Sequence, residues 1–350
     1  VNSLAERWPT LSALPRLTLA GLPTPLVEMP VLSERLDTEV WVKHDDVTAH
    51  AYGGNKVRKL EYLLADARQR GADTLITTGA VGSHHVFATA LFGRDHGFET
   101  HAVLVPQPTT PHVEEQVRAM LSVRARLHVA EHYREVPRRM AALVVKLRLM
   151  GRKPFVIPAG GSSVRGTLGY VNAGVELAQQ LDAGRGNDPD AIYVACGTCA
   201  TAAGLALGLA AAGVRTRVVA VRVTDRLLAN KLRLSVLVKK TSELVRSIEP
   251  RFPEVSARAI ASLDVDAIEL GKGYGKPTPS SEAARRLASH DGLELDPTYT
   301  SKALACLLRE AEAEMHGKRL IYLHTLSSVD MTPYLKSAPP IPDEIFSLLR

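Results

Sequence analysis

The sequence predicts an α/β protein built on mostly parallel sheets, and three observations carry that expectation. From Asp73 onward, short β-rich apolar runs alternate with longer stretches of helical period. Two of the runs, Ala191-Ile192-Tyr193-Val194-Ala195 and Arg217-Val218-Val219-Ala220-Val221, are nearly continuous in apolar residues, as strands covered on both faces are. Prolines stand where helices open, at Pro111 and Pro137.

The elements follow in order. A strand over residues 39–43 is interrupted by Gly53-Gly54, after which Val57, Leu60, Leu63, Leu64 and Ala67 recur at helical spacing. A strand at 74–78 precedes a helix at 84–95, and a strand at 101–105 precedes a helix at 111–120. The helix opened by Pro137 runs to Met150, and 154–158 reads as a short strand ending at Gly160-Gly161-Ser162-Ser163. The strand at 191–195 leads to a small, apolar helix over 204–212, expected to pack closely on a sheet. Strands at 217–221 and 319–323 complete the set. Glycine breaks at 53–54 and 160–161 suggest a nested domain, with 1–53 and 163–350 as the large domain and 54–162 as the smaller insert.

Composition narrows the function classes. The chain has 350 residues, 45% hydrophobic and 23% charged, enough for a large core and usually for two domains. No apolar run reaches the roughly 18–20 residues that span a bilayer, so no membrane partner is expected. Val1-Asn2-Ser3-Leu4-Ala5-Glu6-Arg7 lacks the pattern of a secretory signal, and three cysteines make no disulfide framework; both favour a cytoplasmic setting. The formal charge of +6 is spread out, and its densest groups, residues 134–139 and Lys239-Lys240, lack interleaved aromatics. These are read as solvated helix faces, and no nucleic-acid partner is expected.

The chemistry begins at Lys56. Gly53-Gly54 lets the backbone turn sharply, Asn55 is a natural N-cap, and Lys56 then falls in the first helical turn. Positive dipole density there disfavours its charge, and a lysine of lowered pKa is what Schiff-base chemistry with a carbonyl cofactor needs. Taken alone, a lysine at a helix start is more commonly a surface residue.

The tract Asp45-Asp46, then six residues, then Gly53-Gly54-Asn55-Lys56-Val57-Arg58-Lys59-Leu60-Glu61 resembles the cofactor-lysine segment of the D-cysteine desulfhydrase and aminocyclopropane-carboxylate deaminase family. That family belongs to the tryptophan-synthase-β-like, fold type II pyridoxal-phosphate enzymes. The likeness extends from Leu22-Pro23-Thr24-Pro25-Leu26 to His324-Thr325. It implies a two-domain α/β fold with the cofactor at the domain interface, a homodimer, and Lys56 as the Schiff-base lysine that later carries the Cα proton.

Further landmarks follow in the family's order. Ser83, in Gly82-Ser83-His84-His85, matches the serine on the substrate side, which binds carboxylate or assists proton transfer. His84 replaces an asparagine that faces the cofactor's phenolic oxygen, and Phe87 replaces an arginine. A neutral imidazole can still donate to that oxygen. Cys196-Gly197-Thr198-Cys199-Ala200-Thr201 follows a strand and precedes a helix, the usual place of a phosphate-cradling loop. The resemblance makes Gly197, Thr198, Cys199, Ala200 and Thr201 phosphate contacts, with Cys199 and Ala200 standing where glycines are usual. By spacing, Cys196 and Cys199 could also be a redox pair or half a metal site; no second pair completes a four-cysteine site, a histidine-containing zinc site stays open on composition as a minor alternative, and no metal is expected.

Tyr274, between Gly273 and Gly275, and Tyr299 match the family's two tyrosines, which orient substrate or shuttle a proton. Thr300 follows Tyr299 where the ring-opening deaminases carry a glutamate, which favours the desulfhydrase branch. The resemblance also implies that Thr325 falls near the cofactor's pyridine nitrogen, where a neutral hydroxyl does not hold the nitrogen protonated, and that Asn55 joins the cofactor contacts. The expected reaction is β-elimination from a small amino acid, D-cysteine being the default, giving a 2-oxo acid and ammonia. A β-replacement synthase, a ring-opening deaminase and a non-catalytic binding protein of the same fold remain alternatives.

Overall fold

A computed structural model describes residues 2–185 and 188–349. By packing, the chain divides into two compact units. The first comprises Val1–Leu14, Ala20–Lys59 and Ser163–Val329, and the second Pro15–Leu19, Leu60–Ser162 and Asp330–Arg350. The glycine breaks alone leave the C-terminal residues with the large domain. In the structure they pack within the second unit, where the Tyr334 ring meets Phe87 edge-on at 5.1 Å and Arg118 donates to the Leu335 carbonyl at 3.0 Å.

The first unit holds a six-stranded sheet in the order β1-β2-β10-β7-β8-β9. Its strands are β1 (Leu26–Glu28), β2 (Glu39–His44), β7 (Ala191–Cys196), β8 (Arg217–Arg222), β9 (Leu263–Asp266) and β10 (Arg319–His324). β1 is antiparallel to β2 and every other pairing is parallel. β7 is buried along its whole length, as its unbroken apolar run requires of a central strand. The last strand, β10, lies between β2 and β7, pairing Ile321 with Trp41 on one side and with Ile192 on the other.

The small-residue helix Ala200–Ala212 packs most closely on another helix, Val164–Gln180, and less on the sheet that sequence alone suggested. A Cβ on Gly208 would lie 2.3 Å from the Val171 carbonyl oxygen, so only glycine allows the two backbones this approach. A core of Met29, Leu32, Val40, Tyr193, Leu304, Leu307 and Tyr322, among others, fills one face of the sheet.

The second unit holds a four-stranded parallel sheet, β5-β4-β3-β6, made of β3 (Thr74–Ala80), β4 (Glu99–Val105), β5 (Arg126–Val129) and β6 (Pro154–Val156). Helices His84–Asp95, Pro111–Ser122 and Val136–Leu149 fall where the sequence predicts them, the first two capped by the Ser83 and Thr110 hydroxyls. Among the described residues, no helix is long and apolar enough to cross a membrane.

Candidate active site

The lysine helix, Asn55–Gln69, begins one residue earlier than its sequence implies, so Asn55 is its first residue and not its cap. The Asn55 side chain is engaged elsewhere: its amide nitrogen donates to Thr201 Oγ1 at 3.1 Å, and its oxygen accepts from Lys56 Nζ at 2.5 Å. The turn before it is fixed by backbone. Gly54 has φ +89°, a conformation that disfavours any residue with a Cβ, and a Cβ on Gly53 would sit 1.7 Å from the Asp46 carbonyl oxygen. The Asn55 N–H donates to the Thr325 carbonyl at 3.3 Å, and the Gly53 N–H donates to Ser327 Oγ at 2.9 Å.

Lys56 is partly accessible, whereas Arg58 and Lys59 are buried. Burial of the amine lowers the Lys56 pKa to about 8, against the opposing pull of the Asp296 carboxylate. Lys59 is pushed down further, by burial and then by Lys56, and its Nζ lies 5.9 Å from the centre of the Tyr170 ring. Arg58 goes the other way. Burial would lower it, but Asp45 and Glu176 outweigh that and hold the guanidinium well above its ordinary range. Arg58 contacts Asp45 at 2.8 Å and Glu176 at 2.9 Å, and Lys43 contacts Glu176 at 2.6 Å.

The loop from Gly197 to Thr201 follows β7. Cys199 has φ +76°, so a cysteine adopts the backbone that glycine favours, with its sulfur 3.6 Å from the Leu228 carbonyl oxygen. The N-cap residue of the helix that begins at Ala200, Cys199, makes no side-chain capping bond. That helix N-terminus, with the Thr201 hydroxyl beside it, suits an anion such as a phosphate. Thr224 Oγ1 donates to the Gly197 carbonyl at 2.7 Å, and a Cβ on Gly197 would touch Tyr299 Cε1 at 3.4 Å.

Tyr274 and Tyr299 meet hydroxyl to hydroxyl at 2.6 Å, with ring planes at 77°. Burial raises Tyr274 to about 12, the Tyr299 hydrogen bond opposing, and burial followed by Tyr274 lifts Tyr299 well above its usual value. Two residues not singled out from the sequence hold this pair. Asp296 accepts from the Tyr299 N–H at 2.7 Å and from the Thr300 hydroxyl at 2.6 Å, fixing the helix start. Buried Lys302 donates to the Leu270 carbonyl at 3.0 Å, anchoring the loop that carries Tyr274. The signal for both was available: an Asp four residues before a Thr at a helix start, and a lysine in the first turn of a helix just before the apolar run from Ala303 to Leu308.

Lys56, Asn55, Thr201 and the Thr325 backbone are thus joined by hydrogen bonds in the first unit, with Gly197, Thr198, Cys199 and Ala200 in the loop before Thr201; the Tyr274–Tyr299 pair is in the same unit, with the Tyr299 ring close to Gly197. Ser83 and His84 belong to the second unit. There Ser83 Oγ accepts from the Val86 N–H at 3.4 Å, and His84 Nε2 lies 3.0 Å from His112 Nε2. Phe87 is fully buried in that unit's interior.

The chain matches the model of the family described as pyridoxal-phosphate dependent enzyme over residues 17–325, and it therefore belongs to that family. It is a pyridoxal-phosphate enzyme of the lyase and deaminase class, with the fold type II architecture. Among particular relatives, it is 36% identical to a D-cysteine desulfhydrase of Salmonella paratyphi B over 303 residues, covering 85% of this chain and 89% of that one. It superposes on the crystal structure of an ACC deaminase homologue with a TM-score of 0.78 and 31% identity, covering 98% of each chain. A fungal L-serine ammonia-lyase from Rhizomucor miehei shares the fold, with a TM-score of 0.62 at 20% identity, over 89% of this chain and 96% of that one.

Proposed function

We propose that the enzyme catalyses β-elimination from a small amino acid bearing a leaving group on Cβ, with D-cysteine the first substrate to test. The observation that carries this reading is the hydrogen bond from Asn55 to Thr201. It ties an amine of lowered pKa to an anion-binding loop on one rigid frame. Pyridoxal phosphate, when bound, supplies the carbonyl that condenses with amines and the electron-withdrawing ring that makes Cα–H acidic.

Lys56 would hold the cofactor through its amine, and the loop from Gly197 to Thr201 with the following helix start would hold its phosphate. Asn55 and the Thr325 segment fix the lysine's position. The Lys56 amine would take the Cα proton, a role its lowered basicity suits near neutral pH. The Tyr274–Tyr299 pair, both neutral, holds a proton at its hydroxyls for the departing group. Ser83 and His84 are assigned to the substrate carboxylate and the cofactor's phenolic oxygen. With D-cysteine the balance is D-cysteine plus water giving pyruvate, ammonia and hydrogen sulfide. The first unit is read as the cofactor-binding domain and the second, which takes in the C-terminal residues, as the inserted domain, and the working form as a cytoplasmic homodimer.

The test is product analysis on the purified holoenzyme. Pyruvate, ammonia and sulfide in equal amounts from D-cysteine, without an added nucleophile, are expected. Retention of the amino group in the product would instead identify β-replacement, and 2-oxobutyrate from aminocyclopropane carboxylate would identify ring opening; either as the main activity overturns the elimination reading.

A further inference from the structure

Two histidines and an aspartate gather at the carboxyl ends of β2 and β10, outside the contacts assigned to the cofactor. The ligand atoms of His44, Asp46 and His324 all lie within 4.8 Å of one another. His44 Nδ1 is 2.9 Å from Asp46 Oδ1, and His324 Nδ1 is 3.3 Å from the same oxygen. Parallel pairing puts His44 directly beside His324, so the sheet itself sets the spacing.

The decisive atom is His324 Nδ1. Its ring is buried, and Nε2 lies 3.1 Å from the Glu294 carbonyl oxygen, which only accepts, so Nε2 carries a proton. In the neutral ring, Nδ1 is then a bare lone pair. It points into the cluster at Asp46 Oδ1, 3.3 Å away, without the geometry of a good hydrogen bond. A buried lone pair facing a carboxylate oxygen is unfavourable, and a cation between them turns both into ligands.

We propose that His44 Nδ1, His324 Nδ1 and an Asp46 carboxylate oxygen bind a divalent first-row transition ion. Two imidazoles and one carboxylate are an established donor set for such ions. The Glu294 carbonyl orients the His324 ring as outer-shell partners of metal-bound histidines do. His44, 21% exposed at its side chain, leaves an entry path, and solvent fills the remaining positions. The ion clasps the ends of two adjacent strands next to the lysine turn, because the Asp46 carbonyl is the atom against which Gly53 packs and to which the Ser328 N–H donates at 3.3 Å.

Zinc is the probe. Chelator-treated holoenzyme is titrated with Zn²⁺ by calorimetry, and bound metal is measured after gel filtration. One zinc per chain is expected, with a raised thermal midpoint. His44→Gln, at the most exposed ligand, weakens affinity at least about tenfold, and His324→Ala abolishes binding. Cobalt in place of zinc gives ligand-field bands without sulfur-to-cobalt charge transfer, and Cys199→Ser retains the metal. Failure to retain zinc at unit stoichiometry in folded wild-type enzyme overturns the proposal. So does unchanged affinity in His44→Gln, or loss of the metal in Cys199→Ser. Because metal content and melting are read without turnover, the proposal stands or falls separately from the assigned reaction.

Discussion

Lys56 and Arg58 are two residues apart on one helix, yet they have opposite electrostatic fates. Arg58 is enclosed with Asp45 and Glu176, and Glu176 is shared with Lys43. Its charge is held by its partners, and theirs by it: burial would raise Glu176, but Arg58 and Lys43 bring it down to about 2. Lys56 has an amide oxygen as its hydrogen-bond acceptor, and its pKa falls to about 8. Desolvation acts on both; a bonded carboxylate decides whether a buried cation is kept as a charge or becomes a usable base.

The strongest way to break this comparison is Lys56→Ala. Turnover should fall by more than about a thousandfold, and the visible absorbance of lysine-bound cofactor should vanish, while the unfolding midpoint barely moves. Arg58→Met should do the reverse to stability. It leaves Asp45 and Glu176 buried without their cation, at about 3–5 kcal/mol, measured by chemical denaturation of the cofactor-free protein. The same melts followed against pH should show the sign. Glu176 is depressed in the folded state, so its contribution is full above the ordinary glutamate range near about 4.3 and is lost as pH falls toward about 2.

A third experiment sharpens the Lys56 side. Capture of pyridoxal phosphate by the cofactor-free protein needs the neutral amine. Its rate should climb about tenfold per pH unit below the lysine's pKa and level off above about 8, as read by stopped-flow absorbance. A plateau only above pH 10 would mean that the amine is not desolvated. The smallest effect belongs to Lys302→Met, which frees the loop bearing Tyr274. It should lower kcat about threefold to tenfold by misplacing that hydroxyl, with KM for the substrate changed less.

Much of this was legible in the sequence, for reasons that differ by residue. Strands such as Ala191–Cys196 announce themselves because burial on both faces demands unbroken apolar residues. Gly53-Gly54 announced a turn because backbone contacts there exclude a Cβ. Lys56 was readable through its family-like neighbours, its helix-start position being weak evidence alone. The short strands β1, β5 and β9 were missed, since three or four residues give little periodicity. Asn55 was misread as a cap because its amide serves contacts to Thr201, 146 residues away, that no local pattern records. Asp296 and Lys302 carry a local signal at a helix start, but they act on Tyr299 and Tyr274 through backbone groups, which residue type alone does not reveal. His44 and His324 lie 280 positions apart and become neighbours only when β2 and β10 pair.

That pairing has a consequence for how the protein is made. The strand inserted between β2 and β7 is the last to be synthesised, and the carbonyl that accepts from Asn55 belongs to Thr325, just after it. Chains emerge from the ribosome N-terminus first, so the lysine turn waits until the chain has been extended through Thr325 before its framework exists. Nascent chains arrested before residue 319 should therefore fail to take up the cofactor, and those released beyond 325 should acquire it. Loading becomes a late event in biosynthesis, and truncated products stay inert.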